Sequence, residues 1–374
     1  MADQVDVIIV GGGMAGASAA FFLADKHSVL LLEAEEHCGY HTTGRSAAVF
    51  EENYGTKAIR EITRASRDFY ERPPEGFVDV PLLHQRGWVF VANEEQLHLL
   101  DSVAQDLEDA GLPPERHGPE FYENLVPIAK PGYAAGCLWN PVSSDIDVDA
   151  LHQAFLRGTK AKGGEIVTRA RVDQLSREAD LWQVRCGDRQ FSGAILVNAA
   201  GAWADELGQM AGCEKIGLVP KRRTAMLIKS PEGVDVMEWP AVVDAEESFY
   251  FKPQSGMLLA SMADATPSPP CDAQPEEIDV ATTIYRVQQA IDMPTARPEK
   301  TWAGLRSFVA DGTPVVGYDP KVEGFFWLAG QGGYGIQTAP MMGQLVAELV
   351  DGNPLPQRVI DEGLSAEDLS PLRL

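Results

Sequence analysis

Chemistry is most legible in this chain at its beginning. Gly11, Gly13 and Gly16 stand at G-x-G-x-x-G spacing directly after the apolar run VDVIIV, and Glu33 closes a second apolar run, VLLL. Each position has a mechanical task in holding a dinucleotide. Gly11 makes the tight turn, Gly13 lets backbone approach a pyrophosphate, and Gly16 lets a helix pack on the strand. The flanking residues Met14, Ala15 and Ala34 join this set. A carboxylate at Glu33 can accept both hydroxyl hydrogens of an adenosine ribose, and it disfavours a 2′-phosphate. The bland alternative is a glycine-rich turn with no ligand. Spacing alone leaves open whether the ligand is a nicotinamide dinucleotide or a flavin.

The elements that must position these residues follow from the pattern. Val5–Val10 and Val29–Leu32 read as strands buried on both faces of a parallel sheet. Between them a helix over about Ala15–Lys26 turns its N–H groups and positive dipole end toward the phosphates. A dinucleotide domain of the nicotinamide type would continue in regular strand–helix repeats. This chain turns instead into CGYHTTGRSAAVF at 38–50. Such a segment suits a long cofactor lying extended beneath a loop, with His41, Thr42, Thr43, Arg45, Ser46, Ala47 and Ala48 against it. The alternative is ordinary loop polarity.

Further along, GWVFVANEEQLHLLDSVAQDLEDAG gives a strand and an amphipathic helix of another kind. At DIDVDALHQAFLRGTKAKGGEIV a βαβ rhythm returns, with Asp147 or Asp149 capping a helix near Ala150–Lys162. Another buried strand at 194–198 leads to the small-residue turn of Ala199–Ala202. Segments RTAMLIKS, SFYFKP and MLLASM read as hairpin material, followed by a helix from about 276 to 292. The expected architecture is α/β: a Rossmann-like FAD-binding domain of glutathione-reductase type, assembled from 1–82, 146–222 and 302–374. An α+β substrate domain with a mixed sheet is inserted as 83–145 and 223–301.

Composition narrows the function classes. A net charge of −24 makes nucleic acid and anionic lipid poor partners. The five cysteines are widely scattered and never form a C-x-x-C pair, so no metal site is expected. Reduced thiols, a start that lacks the pattern of a signal peptide, and no apolar run long enough to cross a bilayer lead to the expectation of a cytoplasmic chain, or one peripheral to a membrane through a partner.

Two late stretches, WAGLRSFVADGTPVVGYDP and FFWLAGQGGYGIQTAP, resemble the flavin-closing segments of the D-amino-acid oxidase superfamily. The matching pattern is Trp302, Gly304, Arg306, Asp311, Gly312, Pro314 and Gly317, then Gly332, Gly333, Gly335 and a helix from about Pro340. The resemblance spans essentially the whole chain and implies non-covalent FAD. It adds Val172, Ala200, Gly201, Trp203, Arg306, Gly332, Gly333, Tyr334, Gly335, Ile336, Gln337 and Thr338 to the cofactor contacts. Within the superfamily, GYHTTGRSAA, DIDVDALHQAFLRG, LVNAAGAW, PKRR, ESFYFKP and TWAGLRSFVADG resemble segments of the FAD-dependent D-arginine dehydrogenases, in the same order.

By that likeness Tyr54, Arg223, Tyr250, Arg306 and Gly333 are substrate-site positions. An arginine against a flavin in a dry pocket needs an anionic partner, and an amino-acid carboxylate supplies a bidentate one. Arg306 is the first choice for that clamp, unless it forms a structural ion pair with Asp311; Arg223 has the alternative of a surface base. The chain departs from the likeness at Val49 and Glu51, where a histidine and a threonine are expected, and at Trp88, where the cation-selecting glutamate falls. With Val243 these residues line the expected side-chain pocket. An indole there favours neutral or bulky apolar side chains over a guanidinium, although Glu51 or Glu52 could restore an acidic contact.

The implied reaction is transfer of hydride from a D-amino-acid Cα to flavin N5, giving an imino acid that hydrolyses to a 2-oxo acid and ammonia. No side chain is obliged to be the base, because orientation and electrostatics carry the work. The alternatives are a secondary amine or 2-hydroxy acid as substrate, dioxygen rather than a quinone or other acceptor as oxidant, and a flavin protein without turnover.

Overall fold

The computed structural model describes residues 4–109, 111–293 and 297–374. Its first sheet has at its centre the strand Gln4–Val10, parallel to Val29–Leu32 on one side and to Arg189–Asn198 on the other. Glu165–Val167 extends the parallel set beyond Val29–Leu32, and Phe325–Ala329 pairs with the end of Arg189–Asn198. The helix Met14–Leu23 packs on this sheet beside the helices Val148–Ala161 and Ala339–Val350. A core of Val7, Ile9, Leu31, Phe326 and Met342 lies beneath them. The opening strands are apolar at every turn because helices cover one face, while Trp182, Trp327 and their neighbours cover the other.

The second sheet is mixed and nine-stranded, with all but one of its pairings antiparallel; the parallel one joins Ala241–Asp244 to Trp88–Ala92. Its two faces separate by the period of two that a strand imposes. Val89, Val91, Met226, Ile228, Val242 and Phe251 turn toward a core closed by the helices Pro119–Leu125 and Glu277–Ala290. Their alternates face the first sheet. The strands expected to be cut by domain boundaries at 222/223 and 301/302, Val219–Lys229 and Lys300–Phe308, pair along their length within this second sheet. A short third sheet, Val49–Phe50, Ser144–Ile146 and Leu83–Gln85, ties the two regions together.

The expected helices at about 150–162, 276–292 and from Pro340 are found at Val148–Ala161, Glu277–Ala290 and Ala339–Val350. Asp147 is the cap of the first, its side chain accepting from the Ala150 N–H. The opening helix is shorter than expected, ending at Leu23 rather than Lys26. Among the described residues no helix is long and apolar enough to cross a membrane.

Candidate active site

One elongated cavity of about 500 Å³ runs between the two large sheets. At one end lies the glycine turn. Gly11 has φ +111°, and a Cβ there would sit 2.3 Å from the Ala199 carbonyl oxygen. A Cβ on Gly16 would sit 1.9 Å from the Gly11 carbonyl oxygen, so only glycine lets this helix meet its strand. Glu33 is fixed by two backbone donors, the Gly12 N–H to Oε2 and the Glu35 N–H to Oε1, both at 2.8 Å. Each oxygen keeps acceptor capacity for a ribose hydroxyl.

The 38–50 segment closes over this end. Thr43 Oγ1 accepts from the Met14 N–H at 2.9 Å, and Thr42 Oγ1 donates to the Leu305 carbonyl at 2.7 Å. Arg45 reaches away from the glycine turn. Its guanidinium donates to the Ala273 and Ala303 carbonyls and to Asp272, so it binds the two regions together rather than offering its charge to a phosphate. His41 pairs with Glu35 and packs its ring on Trp203. His152, which the sequence reading passed over, meets the Gly12 carbonyl through Nε2 at 3.0 Å. It lies 140 positions from Gly12, with no local pattern to mark it.

The other end of the cavity is built by the second sheet. Register places Arg223 opposite Gly304, Lys221 opposite Arg306, Val243 opposite both Tyr250 and Phe90, and Ala241 opposite Trp88. Arg223, Arg306, Tyr250, Val243, Trp88 and Phe90 therefore share one face, and all line the cavity. Arg306 Nη2 donates to the Tyr54 hydroxyl at 3.0 Å. Its guanidinium fills the space that a side chain on Gly333 would need: a Cβ there would come within 1.5 Å of Nη2. The rings of Tyr54, Phe308 and Tyr334 stand 5.7–5.9 Å from its Cζ. Burial opposes the charge on Arg306, but the oxygens of Tyr54, Tyr334 and Tyr250 outweigh it and its pKa is raised.

Among the described residues Arg306 has no carboxylate partner; Asp311, the expected alternative, pairs with Arg373. Arg223 is steadied by its Nε–H donating to the Asp264 carbonyl at 2.7 Å, which leaves its terminal nitrogens without a protein acceptor among the described residues. Glu52, also buried, pairs with Arg67 at 2.6 Å and does not line the cavity, so it does not supply the acidic contact considered for the pocket. Glu51 stays inside and lines the cavity with Val49, its carboxyl pushed up in pKa by burial.

Most expected contacts line this one cavity, including Ala34, Ser46, Ala47, Ala48, Val172, Ala200, Gly201, Gly332, Gly335, Ile336 and Gln337. Gly16, Tyr334 and Thr338 do not. Gly16 acts through helix packing, Tyr334 stacks edge-on against Tyr54 with 4.8 Å between centroids, and Thr338 donates to the Tyr334 carbonyl at 2.9 Å. The sequence reading also missed Lys252, buried on the cavity wall and paired with Asp145, and the helical residues Val103 and Leu107. Both depend on long-range packing.

The residues present fit FAD. Gly11 and the helix end suit a pyrophosphate and Glu33 an adenosine ribose, while buried Ser307 Oγ and Gln331 Nε2 lack partners beside the late glycine turn. The sequence matches the FAD dependent oxidoreductase family over residues 6–349. It is 24% identical to glycine oxidase of Geobacillus kaustophilus over 94% of both chains. It is also 24% identical to human mitochondrial dimethylglycine dehydrogenase, over 94% of this chain and 43% of that one. The crystal structure of L-proline dehydrogenase from P. horikoshii shares the fold at TM-score 0.84, with 22% identity and coverage of 100% and 98%.

Proposed function

The chain belongs to the FAD-dependent oxidoreductase family, whose members here act on amino acids and amines, and from that premise we propose that its substrate is a D-amino acid with a neutral or bulky apolar side chain. The product would be the 2-oxo acid and ammonia. The observation that carries the reading is Arg306, largely buried and lacking a carboxylate partner among the described residues, on one sheet face with Arg223 and Tyr250. A desolvated guanidinium without a counter-ion is costly, and a substrate carboxylate removes that cost through paired N–H···O bonds.

Glu33, the glycine turn and the Gly332–Gly335 segment would hold FAD, which would supply the two-electron acceptor. Arg306, Arg223, Tyr54 and Tyr250 bind and orient the carboxylate, and so fix where Cα sits. Trp88, Phe90, Val49 and Val243 form an apolar wall that favours an uncharged side chain and excludes water from it. The turn opening the helix Ala339–Val350 lines the cavity, so its positive end favours negative charge developing there. Non-covalent attachment is supported by the cysteines. Cys38 lies behind the glycine turn with its thiol raised by burial to about 11, and Cys271 is exposed.

The names of the relatives favour a second reading, a glycine-type or N-methyl amine as substrate by the same chemistry. Anaerobic mixing of the holoprotein with D- and L-isomers of phenylalanine, methionine and arginine, with glycine, sarcosine and a 2-hydroxy acid, separates the two. Bleaching of the flavin band by D-phenylalanine or D-methionine ahead of the rest supports the main reading. Bleaching by sarcosine or glycine alone supports the second. Reoxidation in air then distinguishes an oxidase from a dehydrogenase using another acceptor.

A further inference from the structure

We propose that Glu51 takes up the proton that the substrate ammonium must shed before hydride can leave Cα, an assignment that rests on the amino-acid reading above. Hydride loss needs the nitrogen lone pair, and a free amino acid near neutrality carries its amine protonated. The arginines of the cavity cannot accept that proton. Of the other cavity carboxylates, Glu33 is tied to backbone donors at the far end, Glu35 pairs with His41, and Asp106, Glu206 and Glu247 are exposed to solvent; Lys252 is held by Asp145 at 2.5 Å.

Glu51 is placed differently. It is 3% exposed yet forms part of the cavity wall, three positions before the tyrosine that holds Arg306. Its own N–H reaches Gln337 Oε1 at 3.4 Å, joining it to the turn that opens the last long helix. The carboxyl receives neutral donors only: Asn140 Nδ2 at 3.0 Å and the Ser143 hydroxyl on Oε2, and the Asn53 N–H at 3.2 Å on Oε1. No cation pairs with it among the described residues. The adjacent Glu52 has Arg67, so the lack of a counter-ion is particular to position 51.

A buried carboxylate so placed gains from taking up positive charge, and a proton is the smallest carrier of it. Burial raises its pKa while the donors keep the ionised form within reach. The charged groups around it are Glu52 and Arg67 on its own segment and the adjoining helix, the Lys252–Asp145–Arg86 cluster of the neighbouring strands, and Arg306 and Arg223 across the cavity. In the step, one ammonium N–H bond breaks and its proton goes to Glu51 Oε1. A neutral amine and a carboxylic acid result, and the freed lone pair forms the C=N bond as hydride departs, FAD being the oxidant.

The test is anaerobic reduction of the holoprotein by D-phenylalanine, followed from acid pH up to the range where a free amine loses its proton. In the native protein the rate falls as pH drops through the Glu51 pKa, because the acceptor is already protonated. Glu51→Gln keeps the size and one acceptor oxygen; it is expected to lose about 100-fold at neutral pH and to regain the loss at high pH, where the substrate ammonium loses its proton to solvent without help. Binding of 3-phenylpropionate, which has no amine, stays unchanged in that variant, and the infrared carbonyl band of a protonated carboxyl that D-phenylalanine induces in the native protein disappears. Ser143→Ala, which keeps Glu51 but removes a donor, moves the acid limb to higher pH. A Glu51→Gln protein with native rate and unshifted pH profile overturns the assignment. A native protein that holds FAD but is bleached by no D-amino acid overturns it together with the substrate reading, and the two failures are told apart by the native protein alone.

Discussion

At the scale of residues, the site is defined by what Arg306 touches. Its guanidinium rests on a glycine, so Gly333→Ala must displace it, a Cβ there falling 1.5 Å from Nη2. The expected result is a drop in kcat/KM of about tenfold to 100-fold, most of it in KM, measured with the best D-amino acid of the panel. Trp88 sets the side-chain preference by the same logic. Trp88→Glu places a carboxylate where the indole now stands edge-on to Tyr54 and Phe90. Steady-state kinetics on both substrates should show the D-arginine to D-phenylalanine ratio of kcat/KM rising by about tenfold or more; an unchanged ratio removes Trp88 from the specificity argument. Arg45 is instructive in the other direction. Its place in a hydroxyl-rich loop made it a candidate cofactor contact, and it does line the cavity, yet Asp272 and two carbonyls more than 200 positions away claim its guanidinium.

At the scale of elements, the opening strand–turn–helix unit and the face of the mixed sheet do separate jobs. Gly16→Ala forces a Cβ to within 1.9 Å of the Gly11 carbonyl and so separates helix from strand. Purified variant protein should carry less FAD, read as the ratio of flavin to protein absorbance. The short third sheet meets the mixed sheet at a mostly buried ion triad, where Asp145 accepts from Arg86 at 2.8 Å and from Lys252 at 2.5 Å. Asp145→Asn leaves two cations without a counter-charge, and a loss of about 3–5 kcal/mol is expected, seen as a lower denaturation midpoint. Local pattern made the first unit readable, because strand, glycine spacing and acid lie within 30 residues. The triad joins positions 86, 145 and 252 and leaves no trace in any one window of sequence.

At the scale of the whole molecule, the cavity is built from both ends of the chain against an inserted sheet. That division was legible because the early glycine turn and the late glycine-rich segments each carry recognisable spacing. Their meeting was an inference, and the single cavity lined by Gly11 and Gly333 accounts for it. What stayed hidden were partners chosen by tertiary packing: the three donors on Glu51, His152 beneath the glycine turn, and the helical wall of Val103 and Leu107. Because the cavity spans both sheets, FAD should stabilise the molecule as a whole. Free FAD at about 100 times its Kd contributes about 2.7 kcal/mol, so stripping it should lower the melting temperature, and adding it back should restore it. The central claim is that Arg306 awaits a carboxylate beside the flavin. It is tested most directly by titrating oxidised holoprotein with 3-phenylpropionate and following the flavin spectrum. Native protein should show a saturable perturbation that weakens by about 100-fold in Arg306→Ala, whereas equal affinity in the two proteins would contradict the account.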